Sequence, residues 1–212
     1  MFRSVAALVL AVFLGLAPVI SQSHDPVQAI QKQGHTFCTV FSINEDQGYF
    51  ATAGHCALNV LQNNVNGLVT ILGSPATVEM ISFNYDVAVF HADVHVPALK
   101  LAKQTVERCD PKKPAECEII SIQGFPYSLP GLITVTGRMA ARNIPILHPS
   151  YKVVMYSDIL DITTAGGNSG SPVMNSNGDV IGILWGGFVD KPLSLSIPLD
   201  YVKAALRGYM ED

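Results

Sequence analysis

Charged side chains are scarce in this chain. Its 212 residues include 13 Lys and Arg and 17 Asp and Glu, so charged residues make up 14% and the formal net charge is -4. No basic run occurs, which leaves nucleic-acid binding without an electrostatic footprint. Cysteine occurs only four times, too sparsely for a disulfide-dense scaffold. The even number fits two bridges in an oxidising compartment, or ordinary thiols in a reducing one. Long apolar runs are missing beyond the first residues, so nothing later in the chain reads as a membrane span. What the chain has instead is apolar residues, 49% of the total. That share excludes disorder and supplies a sizeable core.

The start, "MFRSVAALVLAVFLGLAPVISQS", holds one positive charge, Arg3, then an uncharged apolar stretch from Val5 to Ile20, then small and polar residues. This pattern predicts a secretory signal peptide over 1–21. Val19 and Ser21 fit the small-residue rule for cleavage better than Ala17, which Pro18 follows. An uncleaved anchor is the alternative, for which the run is short. The mature protein is then expected to be secreted or periplasmic, monomeric and free of the membrane. An N-terminal segment follows over 22–35, where "DPVQAIQKQ" reads as a short helix.

From residue 36 onward, short β-branched and aromatic runs alternate with Gly, Asn and Pro. "TFCTVFSI", "GYFATA", "GLVTIL", "ATVEMISF" and "DVAVFHADV" form one group, and "CEIISIQG", "LITVTGRMA", "KVVMYSD", "VIGILWGG" and "LSLSIP" another. The pattern predicts an all-β chain of sandwich or barrel type. The charged, Pro-rich stretch 103–117 separates the groups, giving a first barrel over 36–102 and a second over 118–198. At the end, Asp200 is placed to cap a helix within 199–212, on the repeat of Val202, Ala205, Leu206 and Tyr209.

"TTAGGNSGSPV" (163–173) is glycine-rich yet followed by a strongly apolar run, so it is folded turn and not linker. Tight turning through Gly166, Gly167, Asn168 and Ser169 gathers backbone N–H groups into an anion-binding concavity. With Ser169 inside it, the anion could be the oxyanion of an attacked carbonyl. A serine hydroxyl needs a base, and the base an orienting acid. His35, His55, His91, His95 and His148 all precede Ser169 and no histidine follows it. That order excludes an α/β-hydrolase. Asp86 stands at the mouth of the apolar run "DVAVF", where an unpaired carboxylate is costly.

"TAGHC" (52–56), "YDVAVF" (85–90) and "GGNSGSPV" (166–173), in this order, resemble the three catalytic segments of the chymotrypsin-fold serine proteases. The serine region resembles the bacterial glutamyl-endopeptidase (V8-like) branch nearly end to end, and the likeness covers about residues 36–207. The resemblance implies two six-stranded antiparallel barrels with a C-terminal helix. It implies hydrolysis of polypeptides without metal or cofactor. His55 would be the base, Asp86 its orienting acid, Ser169 the nucleophile, and the N–H groups of Gly167 and Ser169 the oxyanion hole. Asp93 is the alternative acid. The resemblance also pairs Cys56 with Cys38, a bridge the V8-like branch generally lacks, and leaves Cys109 to close a loop with Cys117. Where that branch has a histidine before Trp-Gly-Gly, this chain has Leu184. Thr163, Thr164, Leu184, Gly187 and Ser196 are therefore expected to form a neutral pocket for an apolar side chain. A non-catalytic relative that binds proteins, or an esterase using the same triad, are the competing readings. His91, Asp93 and His95 alternate along one strand, a pattern read as a solvated face and not a metal site. "IQGFPYSLPG" (122–131) reads as structural, with Tyr127 near the cleft, and Trp185 as either cleft wall or core.

Overall fold

The computed structural model describes residues 25–210 apart from 64, 66, 67 and 189. The 1–21 signal segment lies outside the described residues. Twelve strands build two closed six-stranded barrels. The first holds β1 (Val27–Lys32), β2 (His35–Asn44), β3 (Tyr49–Ala53), β4 (Val69–Ile71), β5 (Ser74–Ser82) and β6 (Val87–Ala92). The second holds β7 (Ile120–Gly124), β8 (Ile133–Leu147), β9 (Val154–Asp161), β10 (Pro172–Met174), β11 (Val180–Gly187) and β12 (Ser194–Pro198). Two helices are added, α1 (Gly54–Gln62) after β3 and α2 (Leu199–Leu206) after β12.

Three local readings are corrected. "VQAIQK" is a strand and not a helix, because β1 closes the first barrel by pairing with β2 on one side and β4 on the other. Tertiary pairing overrides its weak local preference. "GHCALNVLQ" is a helix, whereas the apolar approach to it reads as continuous strand. It buries Gly54, Cys56, Ala57 and Val60, a 3.6-residue stripe that packs against β5 and β6. α2 has Pro198 at its cap position with no side-chain cap, so Asp200 sits in the first helical turn and not at the cap. There its charge favours the positive end of the helix.

Phe41, Phe50, Phe90, Ile30, Ile43 and Ile71 fill the first barrel, and Ile120, Ile122, Met139, Leu160 and Ile181 the second. Burying each such side chain contributes roughly 1.5–3 kcal/mol. The first core does not stop at its own barrel. It continues into Met174, Val180, Ile183, Trp185, Leu195 and Ile197 of the second, so the barrels share one apolar seam. The connection 93–119 is pinned across that seam: Ala102 N–H donates to the Val180 carbonyl at 2.9 Å and Val180 N–H to the Lys100 carbonyl at 2.8 Å. Bridges Cys38–Cys56 and Cys109–Cys117 join β2 to α1 and close the charged loop.

Candidate active site

The turn before β6 sets the first residue of the site. Asp86 has φ +53°, an uncommon backbone for a non-glycine, and its side chain is fully buried. Gly54 N–H donates to the Asp86 carbonyl oxygen at 2.6 Å. This ties the start of α1 to the turn and brings His55, one residue on, against the carboxylate. His55 Nδ1 lies 2.9 Å from Asp86 Oδ2, and the His55 backbone N–H donates to Oδ1 at 2.7 Å. Tyr151 Oη donates to Oδ1 at 2.7 Å, and His148 Nε2 lies 3.2 Å from Oδ2. Burial pushes the Asp86 carboxyl up, but the hydrogen bonds from His148 and His55, the His55 charge and the Tyr151 hydrogen bond outweigh it. The group is held down at about 2. Because the carboxylate accepts, His55 carries its proton on Nδ1, and Nε2 is the basic nitrogen.

The serine turn is tethered by its carbonyls. The Gly166 carbonyl accepts from Tyr127 N–H at 2.7 Å, the Gly167 carbonyl from Thr39 Oγ1 at 2.8 Å, and the Ser169 carbonyl from Thr39 N–H at 2.8 Å. The Asn168 carbonyl accepts from Ser171 N–H at 2.9 Å. Among the described residues, the N–H groups of Asn168, Gly170 and Ser171 have backbone acceptors, and those of Gly167 and Ser169 have none. The carbonyls of Gly166, Gly167 and Ser169 are thus held by Tyr127 and Thr39, and these two N–H groups have no backbone acceptor among the described residues. Gly167 has φ +97°, and a Cβ there would run into the Phe125 carbonyl oxygen, so a side chain would break the turn.

A cavity of about 660 Å³ opens beside Ser169. Its lining includes Thr163, Thr164, Leu184 and Gly187, which the sequence reading places together, with Tyr127, Phe188, Asp190 and Lys191. Ser196 is not among the lining residues; it is 1% exposed and lies behind Gly182. Ser194, missed in the sequence, holds Thr164 instead. Ser194 Oγ donates to the Ile162 carbonyl at 2.6 Å, so at 2.8 Å it accepts from Thr164 Oγ1. A second cavity of about 440 Å³ lies on the other side of Gly186 and Gly187, against His55, His148, Pro149 and Trp185. Trp185 is thus both cleft wall and core: it is 7% exposed and donates through Nε1 to Ser157 Oγ at 3.1 Å.

The other candidates lie apart. Asp93 is 96% exposed on its side chain and faces His95 at 3.6 Å; His95 Nδ1 lies 2.7 Å from the Glu45 carbonyl. His91 packs edge-on against Tyr49. Thr39, His148 and Tyr151 are the site residues that sequence reasoning leaves unassigned. Their partners in the site, Asp86 and the serine turn, lie 62 to 130 positions away, beyond any local pattern.

The trypsin-like peptidase family model matches residues 38–183. The chain belongs to the trypsin-like peptidase family. Within this chain, 85 residues are 39% identical to the glutamyl endopeptidase of Staphylococcus epidermidis, covering 38% of the chain and 30% of that relative. The chain therefore matches less than a third of that relative's length. Among solved structures, the fold is shared with Rv3671c from M. tuberculosis H37Rv at a TM-score of 0.68 and 19% identity, covering 96% of each chain. Deg5 shares it at a TM-score of 0.64 and 18% identity, covering 89% of this chain and 91% of that chain.

Proposed function

We propose that this peptidase is an exported serine endopeptidase that cleaves polypeptides through an acyl-enzyme. The observation that carries the reading is the buried carboxylate of Asp86 on Nδ1–H of His55. It fixes the imidazole tautomer and stabilises the imidazolium that forms on proton transfer. Ser169 Oγ attacks the scissile carbonyl as His55 Nε2 takes its proton. The tetrahedral oxyanion is received by the N–H groups of Gly167 and Ser169. His55 then gives the proton to the leaving nitrogen, the C–N bond breaks, and water repeats the sequence on the ester.

The edge of β11 supports an extended peptide as substrate. Up to Leu184 the strand is bonded on both sides; beyond it, Gly186 and Gly187 pair only with β12. The open side runs between the two cavities and offers backbone groups to a further strand. The larger cavity supports a neutral side chain at the cleavage position, since its two charged lining residues, Asp190 and Lys191, are exposed and opposite in sign. The Thr164 hydroxyl proton is already given to Ser194, so it is withheld from a substrate carboxylate. Leu184 adds no donor. Glutamate preference is accordingly lost, and a substrate profile dominated by cleavage after Glu, Lys or Arg would refute this. Two disulfides and the apolar N-terminal run support export.

The test is the intact mass of the mature protein after treatment with a serine-directed fluorophosphonate. One adduct is expected, absent in Ser169→Ala. No adduct on folded protein would refute the reading and favour a protein-binding relative. An adduct with ester turnover but no peptide turnover would favour an esterase. The same mass locates the signal cleavage.

A further inference from the structure

Asp86 has more partners than a base-orienting acid requires. Oδ1 accepts from the His55 backbone and from Tyr151; Oδ2 accepts from the His55 ring and from His148. The first of each pair comes from α1 of the same barrel. The second comes from the β8–β9 connection of the other barrel. Among the described residues, His55, His148 and Tyr151 are the titratable groups bonded to this carboxylate.

The proton of His148 is assigned by its neighbour. Ser150 N–H donates to His148 Nδ1 at 3.3 Å, so Nδ1 is an acceptor and Nε2 carries the hydrogen. The ring is 1% exposed. It stacks on Tyr151 at 4.5 Å and 18°, and lies tilted on Trp185 at 4.6 Å. Tyr151 meets the edge of Phe83 at 5.8 Å. Burial, then the charge of Asp86 and its hydrogen bond, push the Tyr151 hydroxyl well above its ordinary range, so it remains a donor. Both donors are thus fixed in ring position and in proton. The main chain of Asp86 is already held by Gly54 N–H, which leaves side-chain rotation as the freedom they remove. The same connection, through His148, Pro149 and Ser150, walls the 440 Å³ cavity that reaches His55.

We propose that His148 and Tyr151 are positioning residues for catalysis: they aim the carboxylate of Asp86 from the second barrel, so that the orientation of His55 depends on how the β8–β9 connection is docked. This rests on reading His55, Asp86 and Ser169 as the catalytic triad. A carboxylate held by two donors per oxygen turns only by breaking all four bonds. Held by α1 alone, it is freer to rotate and easier to protonate. Hydrogen bonds to a charged group are the strong kind.

The experiment compares the parent with Tyr151→Phe, His148→Leu and His148→Gln. Tyr151→Phe keeps the ring stack and removes one donor. His148→Leu removes the other, and His148→Gln restores an N–H. The carboxyl carbon of Asp86 is followed by NMR against pH in aspartate-labelled protein, with Asp86→Asn for assignment. Removing either donor is expected to raise the titration of Asp86 by about one pH unit. kcat on a short peptide is expected to fall about tenfold, with KM within about twofold. His148→Gln is expected to recover most of both. An unmoved titration would overturn the proposal, even if turnover falls, because a merely structural wall of the cavity would lower activity without touching Asp86. Thermal melts establish folding; should His148→Leu not fold, Tyr151→Phe decides alone. The titration needs no turnover. A shifted titration in a protein that fluorophosphonate does not label would uphold the clamp on Asp86 and sink the triad reading.

Discussion

Thr39 on β2 gives the sharpest test of how the serine turn is held. Its hydroxyl donates to the Gly167 carbonyl at 2.8 Å and accepts from Phe125 N–H at 3.2 Å, and the residue is fully buried. Thr39→Val keeps the shape and the two backbone bonds of Thr39. It leaves one carbonyl and one N–H orphaned in a place without room for water. Each orphan costs about 1–3 kcal/mol, so the expected destabilisation is about 2–6 kcal/mol. The catalytic effect follows from which carbonyl is lost. Gly167 carries one of the two free N–H groups, and releasing its carbonyl lets that turn re-orient. Complete loss of an oxyanion donor costs roughly 10²–10³ in rate. A loosened donor is expected to cost about tenfold in kcat, with KM little changed. Urea unfolding and steady-state kinetics measure the two effects, and Thr39→Ser, which keeps the hydroxyl, is expected to lose little of either. A Thr39→Val protein within about 0.5 kcal/mol of the parent, with unchanged kcat, would refute the argument.

Four further outcomes are expected. Asp86 is held down from 3.8 to about 2, so it stabilises the fold above its unfolded value. About 2–3 kcal/mol is lost as pH falls from about 4 through about 2, a loss that Asp86→Asn would not show in acid unfolding curves. Asp158 is pushed up by burial, against the Asn143 N–H and Arg142, with Asp200 adding to the rise. Its sign is opposite, so Asp158→Asn is expected to hold or raise the melting temperature at neutral pH while still accepting from Asn143. Among the described residues Ser171 Oγ is buried without a partner, so Ser171→Ala is expected to gain about 1 kcal/mol in urea unfolding. Replacing Cys38 and Cys56 by Ala opens a bridge between positions 18 apart and is expected to cost about 3 kcal/mol, read by the same unfolding.

Residues that act within a few positions of each other are legible in the sequence. The three motifs carry the serine turn, the histidine and the aspartate as contiguous strings, and short β-branched and aromatic runs carry most strands. Elements whose identity comes from pairing are not. β1 has the composition of a short helix and becomes a strand because β2 and β4 flank it. β10 is three residues long, too short for any periodic signal. Thr39 is one β-branched residue among many in a strand, and its partners lie 86 and 128 positions away. His148 left a signal, as a histidine that no motif used. Nothing in "HPSY" tells that its ring and the nearby tyrosine close on Asp86. The pocket reading named Ser196, yet the residue that fixes Thr164 is Ser194, two positions back on the same strand. The two share one face of β12 and differ in position along it, Ser194 opposite Gly187 and Ser196 opposite Leu184, a register that composition does not disclose.

The barrels exchange their supports. The second-barrel serine turn hangs on Thr39 of the first, and the first-barrel carboxylate is gripped from the connection at 148–151 of the second. Synthesis proceeds from one barrel to the other, so a partly made chain ending before residue 148 has a complete first barrel and an acid without its outer donors. A chain lacking the first barrel has a serine turn without its bonds to Thr39, held by Tyr127 and Leu184 of its own half. On the proposed triad reading, His55 and Asp86 come from one half and Ser169 from the other, so chemical competence is assembled only when the halves meet.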